Sequence, residues 1–290
     1  MSNQSLIIEE RARDIGDFLV GRLLPFRKKR MVGPFIFIDH MGPSTIGEGS
    51  YLDIAQHPHI GISTLTYLFE GEAMHRDSTG AVQRITPGSV NWMTAGSGAV
   101  HTERTPEDKR DGRARNMHGF QIWVALPKEK ENMKAEFHHV SKENLPVWEE
   151  NGMRLKLVAG EAFGRKSPVP VHSKLFMLKI EVLEDGQLDF KNKLYGEVGI
   201  AVVEGAVEAC GETVDKGKML VSNEEGGCTF GVKAGSLLLI FGGEPFPEPR
   251  HIWWNFVATS QEAIEDAKTR WKNGEFDMVP NESGVIPLPS

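Results

Sequence analysis

The chain has 290 residues, 40% of them hydrophobic and 25% charged, which supports a substantial buried core and argues against disorder. Lys+Arg 33 against Asp+Glu 40 leaves a formal charge of −7, which argues against nucleic acid as the main partner because phosphate binding needs a basic face. No run of ~18 apolar residues occurs, so no membrane-spanning helix and no membrane partner are expected.

The opening stretch MSNQSLIIEERARD has no basic start followed by an apolar core, so no export signal is expected. The two cysteines, Cys210 and Cys228, are too few for a disulfide framework and have no zinc-site spacing. They read as core thiols, and a reducing cytoplasm fits them. Downstream, glycine and proline punctuate short apolar or alternating runs at 33–40, 64–69, 121–126, 175–182, 200–204 and 237–241. Short strands at such spacing predict an all-β sandwich or barrel. The charged stretch 128–142 has little strand character and reads as the crossing between two halves. Near the end, Thr259 followed by Glu262 has the form of a capping box, with Thr259 as N-cap. Ile264, Ala267 and Trp271 follow at helical spacing, and Asn273-Gly274 supplies a stop. Trp253-Trp254 is expected to pack this helix onto a barrel.

A weak repeat links the halves. Tyr67–Gly71 (YLFEG) resembles Ala201–Gly205 (AVVEG), and each is followed by a second glycine turn, at Gly88 and Gly217. The period suits a duplicated β-domain and is far too long for a solenoid.

The strongest chemical signal is His57-Pro58-His59 followed by His101-Thr102-Glu103. On a strand, residues two apart share a face, so each pair can project together. Continued alternation would add Leu65, Tyr67 and Phe69 to the face of His57 and His59, although Gly61 could host a bulge there. Pro58 places that strand at a sheet edge or a strand start. Two such pairs on neighbouring strands would surround a point with three imidazoles and one carboxylate. That set suits a transition metal and leaves two octahedral positions open for dioxygen or a bidentate ligand. An HxH pair alone is often accidental; the second pair in a glycine-rich β context carries the inference.

The segments HPHIGISTLTYLFEG (57–71), MHRDSTG (74–80) and PGSVNWMTAGSGAVHTER (87–104) resemble the pirin family of the cupin superfamily. LLPFRKKRMVGPFIFIDHMGP (23–43) and IWWNFV (252–257) are similar to pirins as well. The resemblance implies a bicupin: two antiparallel jelly-roll barrels with a short C-terminal helix. It implies a metal-binding cupin at 1–140 and a cupin without metal ligands at 141–290. The implied metal ligands are His57, His59, His101 and Glu103, with Glu103 also catalytic as a proton acceptor. Fe(II) is the implied cofactor, and the same donors accept Mn, Ni, Co, Cu or Zn. The implied activity is that of a quercetin 2,3-dioxygenase, with a phenolic or flavonol substrate and O2. The alternative is a non-enzymatic, iron-dependent redox sensor that binds a regulatory protein partner. Two barrels that bury each other's inner faces would make a monomer. Many pirins read HPHRGFET where this chain has HPHIGIST, so Ser63 stands at an acidic position. In the second half, counting from the repeat glycines places Lys191, Lys193, Phe230 and Val232 at the ligand positions.

Other candidates read as structural. His75-Arg76-Asp77 lacks the rest of a kinase signature and reads as a salt-bridged turn. Gly96-Ser97-Gly98 reads as a loop that lets the backbone turn near the site, and His118 as a hydrogen-bonded core residue. Arg27–Arg30 reads as a solvated turn, and His138-His139 as surface residues.

Overall fold

Every apolar run found in the sequence lies within an antiparallel strand or overlaps one, including Phe35–Ile46, Ile62–Glu70, Arg115–Ala125, Leu175–Val182, Glu197–Glu204 and Leu237–Gly243. The computed structural model describes residues 6–14, 19–209, 211–223 and 230–289; Cys210 and Cys228 lie outside them. The fold is all-β, as expected, with one α-helix among the described residues. No helix among them is long and apolar enough to cross a membrane.

The described residues form two units. One draws on Met1–Ala12, Gly21–Ile38 and Glu143–Phe246, the other on Arg13–Val20, Asp39–Lys142 and Pro247–Ser290. The unit built around Glu143–Phe246 has a main sheet that includes Leu175–Val182, Leu237–Gly243, Glu197–Glu204 and Lys218–Asn223. A smaller sheet runs Gly186–Leu188, Phe230–Val232, Ala206–Ala209, Glu212–Asp215. Leu178, Ile200 and Ile240 from the first sheet and Leu188, Val207 and Phe230 from the second share one apolar core.

The unit built around Asp39–Lys142 repeats this plan. Its main sheet pairs Glu136–Val140, Val90–Thr94, Ile62–Glu70, Arg115–Ala125 and Phe35–Ile46 in that order. Its smaller sheet runs Asp53–His59, Ala99–Arg104, Ala73–Asp77, Val82–Ile85. Leu68 and Met117 from one sheet pack with Ala73 and Ile85 from the other.

Alternation does not continue from His57 into Leu65. The Asp53–His59 strand stops before the corner at Gly61, and the chain restarts as Ile62–Glu70 in the other sheet. Gly61 has φ +68°, and a Cβ there would lie 1.9 Å from the Val257 carbonyl oxygen, so only glycine serves at this corner. The Gly96-Ser97-Gly98 loop sits against it, with the Gly61 N–H on the Gly96 carbonyl at 2.9 Å.

Two local readings need correction. The stretch 128–142 contains a strand, Glu136–Val140, paired to Val90–Thr94; its charged and polar residues hide its strand character, and Phe137 is half-buried. The helix Gln261–Lys272 is capped by Ser260, whose Oγ accepts the Ala263 N–H at 3.2 Å, and not by Thr259. The Thr259 hydroxyl instead donates to Glu131 at 2.8 Å. Ile264, Ala267 and Trp271 are buried as expected, packing with Ile60, Val100 and Phe256, with Trp253 and Trp254 at the margin.

Candidate metal centre

The Asp53–His59 strand lies at the edge of its sheet, as Pro58 requires, and pairs with Ala99–Arg104 so that His57 stands opposite His101. The register slips between His101 and Glu103, which leaves one extra residue on the His57 strand. At this bulge the His57 Nδ1–H donates to the Ala55 carbonyl at 2.9 Å, which leaves the Nε2 lone pair available.

His57, His59 and His101 come together, with one ring nitrogen of each within 4.8 Å of the others. Glu103 falls in a second group, with His101 and His75. All four expected residues are buried; His59 and His101 are 1% exposed, Glu103 7% and His57 9%. Burial pushes all three imidazoles below their ordinary range, His59 and His101 well below it, so they are neutral donors at pH 7.

The Ile62–Glu70 strand offers this space a different face from the one expected. Thr66 stands opposite Gln121 and Thr64 opposite Trp123. The Thr66 hydroxyl donates to Glu103 Oε1 at 2.6 Å, and the Trp123 ring lies 5.1 Å from that of His59. Phe69 meets Phe120 and His118 on the other face instead. The corner at Gly61 resets the phase of the alternation. Ser63 shares the parity of Leu65, and its hydroxyl pairs with Thr94 at 2.9 Å. The Thr66 oxygen also lies 2.7 Å from the Gln121 side-chain oxygen position. One hydroxyl proton cannot serve both neighbours. With that proton on Glu103, the Gln121 amide turns its NH2 toward Thr66.

His75 and Asp77 pair as expected, and they lie beside His101 on the neighbouring strand Ala73–Asp77. His75 Nε2–H donates to Asp77 at 2.9 Å, and His75 Nδ1 faces His101 Nδ1 at 3.3 Å, where it accepts. Asp77 also takes the Thr79 and Ala81 N–H groups. His75 stacks on Phe137, with ring centroids 4.8 Å apart. Both of its nitrogens are thus engaged, and the chain Asp77–His75–His101 turns His101 Nε2 toward His59. A third pair at i, i+2 spacing, like His57/His59 and His101/Glu103, was the signal in the sequence. His118 lies elsewhere, 3.0 Å from His40.

The donor set fits a metal ion. His59 Nε2 and His101 Nε2 are 3.1 Å apart, while two imidazoles bound at about 2.1 Å and at right angles would be separated by about 3.0 Å. Three neutral imidazoles and a carboxylate suit a divalent transition metal.

Known proteins resemble this chain in sequence and in fold. The family profile described as Pirin matches residues 18–124, and that of the Pirin C-terminal cupin domain matches residues 177–277. A pirin-like protein of Caulobacter vibrioides is 46% identical over 98% of this chain and 99% of its own length. A Pseudomonas aeruginosa protein with the provisional name quercetin 2,3-dioxygenase is 36% identical over 92% of this chain and 84% of its own. The crystal structure of quercetin 2,3-dioxygenase from Acinetobacter baumannii superimposes with a TM-score of 0.90 at 36% identity, covering 99% of this chain and 95% of that one.

Proposed function

The chain belongs to the pirin family, and on that premise we propose that it is a mononuclear iron dioxygenase of the quercetin 2,3-dioxygenase type. It opens a flavonol with O2, releasing a depside and carbon monoxide. The observation that carries this reading is the cluster of three buried, neutral imidazoles beside one carboxylate. The first cupin holds the iron through His57, His59, His101 and Glu103, and the second carries no ligands to it. Iron(II), when bound, supplies Lewis-acid and one-electron chemistry. Manganese, nickel, cobalt, copper and zinc suit the same donors.

The chain's own groups do the rest. His57 is oriented by the Ala55 carbonyl and His101 by His75, so each presents one lone pair inward. Thr66 holds one oxygen of Glu103, and the second accepts the proton of the flavonol 3-hydroxyl. The Trp123 ring beside His59 walls the space and keeps water from the anion so formed.

His59→Ala and Glu103→Ala test this. Each is expected to abolish oxygen-dependent loss of quercetin and release of carbon monoxide, with His59→Ala also losing bound iron by metal analysis. Full turnover in either iron-free variant overturns the reading. So does negligible turnover of the iron-loaded wild type across a flavonol panel.

A further inference from the structure

We propose that Glu282 is a positioning residue for the metal ligands, gripping from outside the two strands that present them and the strand that carries His75. The proposal rests on the reading that His57, His59, His101 and Glu103 hold a metal.

Segment 279–286 runs along the open edge of the Asp53–His59 strand. Val285 forms a parallel bridge with Gln56, and the Ile286 N–H donates to the Gln56 carbonyl at 2.8 Å. The Gln56 side chain is fully used. Its amide nitrogen donates to the Glu282 and Gly284 carbonyls at 3.4 and 3.1 Å, and its oxygen accepts the Val279 N–H at 2.9 Å. Gln56 precedes His57 and lies in the stretch where the register slips, where pairing to the next strand is interrupted. Without another anchor, that stretch would have freedom to shift.

The Glu282 carboxylate supplies two more anchors. One oxygen takes the Arg104 guanidinium at 3.1 Å through both Nε and a terminal nitrogen, and the other lies 3.4 Å from Arg76 Nε. Its side chain is 12% exposed, so solvent screens this pairing less than it would a surface ion pair. The anchored residues follow a pattern. Gln56 precedes His57, Arg76 follows His75, and Arg104 follows Glu103. Neighbouring residues on a strand point to opposite faces, so a hold on these three fixes how the inward residues project. The Trp271 indole N–H on the Ile286 carbonyl at 3.1 Å ties the segment to the helix.

Imidazoles bind tightly only if their geometry is set before the ion arrives. Removing the Glu282 charge takes from Arg76 its ion pair and leaves Arg104 with Asp53 alone, which loosens the strands that carry Glu103 and His75.

The test is cobalt(II) binding to the metal-stripped protein, measured by competition with a chelator and by the visible ligand-field spectrum. Glu282→Gln is expected to weaken binding by roughly 10- to 100-fold, the usual loss when an outer partner of a ligand is removed, and to change the spectrum. Its metal-free melting temperature should fall, and the changed spectrum of the folded variant is the readout that a merely structural role would not move. Arg76→Gln, at a more exposed end of the clamp, should show a smaller loss of the same kind and serves if Glu282→Gln does not fold. Wild-type affinity and spectrum in the folded variant overturn the proposal. Wild-type cobalt affinity in His57→Ala would instead sink the metal reading itself.

Discussion

The two units repeat a backbone and differ in what it encloses. The Gly88 N–H donates to the Leu68 carbonyl at 2.9 Å, and the Gly217 N–H to the Val202 carbonyl at 3.0 Å, each acceptor three residues before the first repeat glycine. Gly71 and Gly205 take φ +87° and +76°, and Gly88 and Gly217 take +78° and +77°. On the smaller sheets, His57 faces His101 in one unit, and Leu188 faces Phe230 at the corresponding place in the other. Interval counting found Phe230 but put Lys191 where the register puts Leu188, because the connection leading out of that strand is longer in this unit, residues 189–196 against 60–61. The scaffold therefore needs no metal ligands. Leu188 and Phe230 join an apolar core, whereas buried imidazoles require specific partners to offset their desolvation.

The largest expected effect separates packing from chemistry. Phe230→Ala should destabilise its unit by about 3–5 kcal/mol in urea unfolding, the usual cost of deleting a buried aromatic side chain, and leave metal content unchanged. His101→Ala should remove the metal with a smaller loss of metal-free stability. Equal loss of metal in both would break the contrast, since it would make the site a by-product of overall packing.

Next in size is the support beneath His101. His75→Gln should weaken metal binding by about 10- to 100-fold, because Gln does not reproduce a ring that accepts from His101 while donating to Asp77. Chelator competition reads this, and unchanged affinity would show that Asp77–His75 is only a turn.

Much of this was legible in the sequence, and the misses share a cause. The strands, the helix and the four candidate ligands follow from alternation, helical spacing and paired i, i+2 residues. The facing of Thr66 and Trp123 was missed because one glycine corner resets the alternation, and a backbone angle leaves little trace in residue type. Gln56 and Glu282 were missed because they are 226 residues apart and meet only in the folded unit. His75 and Asp77 showed the right spacing, but their closeness to His101 depends on strand order, which spacing does not encode.

Acid and alkali should then act on different units. Burial holds His57, His59 and His101 below the ordinary 6.5, so below that pH the unfolded chain binds more protons than the folded one. Metal-free stability should therefore fall as pH drops from 6.5, by up to about 1.4 kcal/mol per pH unit for each extra proton. Bound metal should blunt the fall by competing with those protons. In the other unit, burial and the nearby Glu161 and Glu244 push the Tyr195 hydroxyl from 10.0 up to about 12. Its contribution is intact below pH 10 and lost as pH rises toward about 12. Urea midpoints against pH should show both limbs, with Tyr195→Phe flattening only the alkaline one. An acid limb unaffected by metal would remove the histidines as its source.

The smallest effect concerns the helix, which follows the second repeat in sequence yet packs on Ile60 and Val100 of the unit that carries the candidate ligands. Ser260→Ala removes the side-chain acceptor for the Ala263 N–H and should cost about 1 kcal/mol, as loss of an N-cap usually does. Thr259→Ala removes instead the hydroxyl held by Glu131 and leaves the first turn of the helix capped. Amide hydrogen exchange separates the two expectations by place as well as by size. With Ser260→Ala, protection should fall in Gln261–Lys272 and in Ala99–Arg104, whose Val100 lies under the helix, while Phe230–Val232 keeps its protection. A loss spread evenly over both smaller sheets would mean that the helix supports the whole chain, and the division of labour between the units would then not extend to their stability.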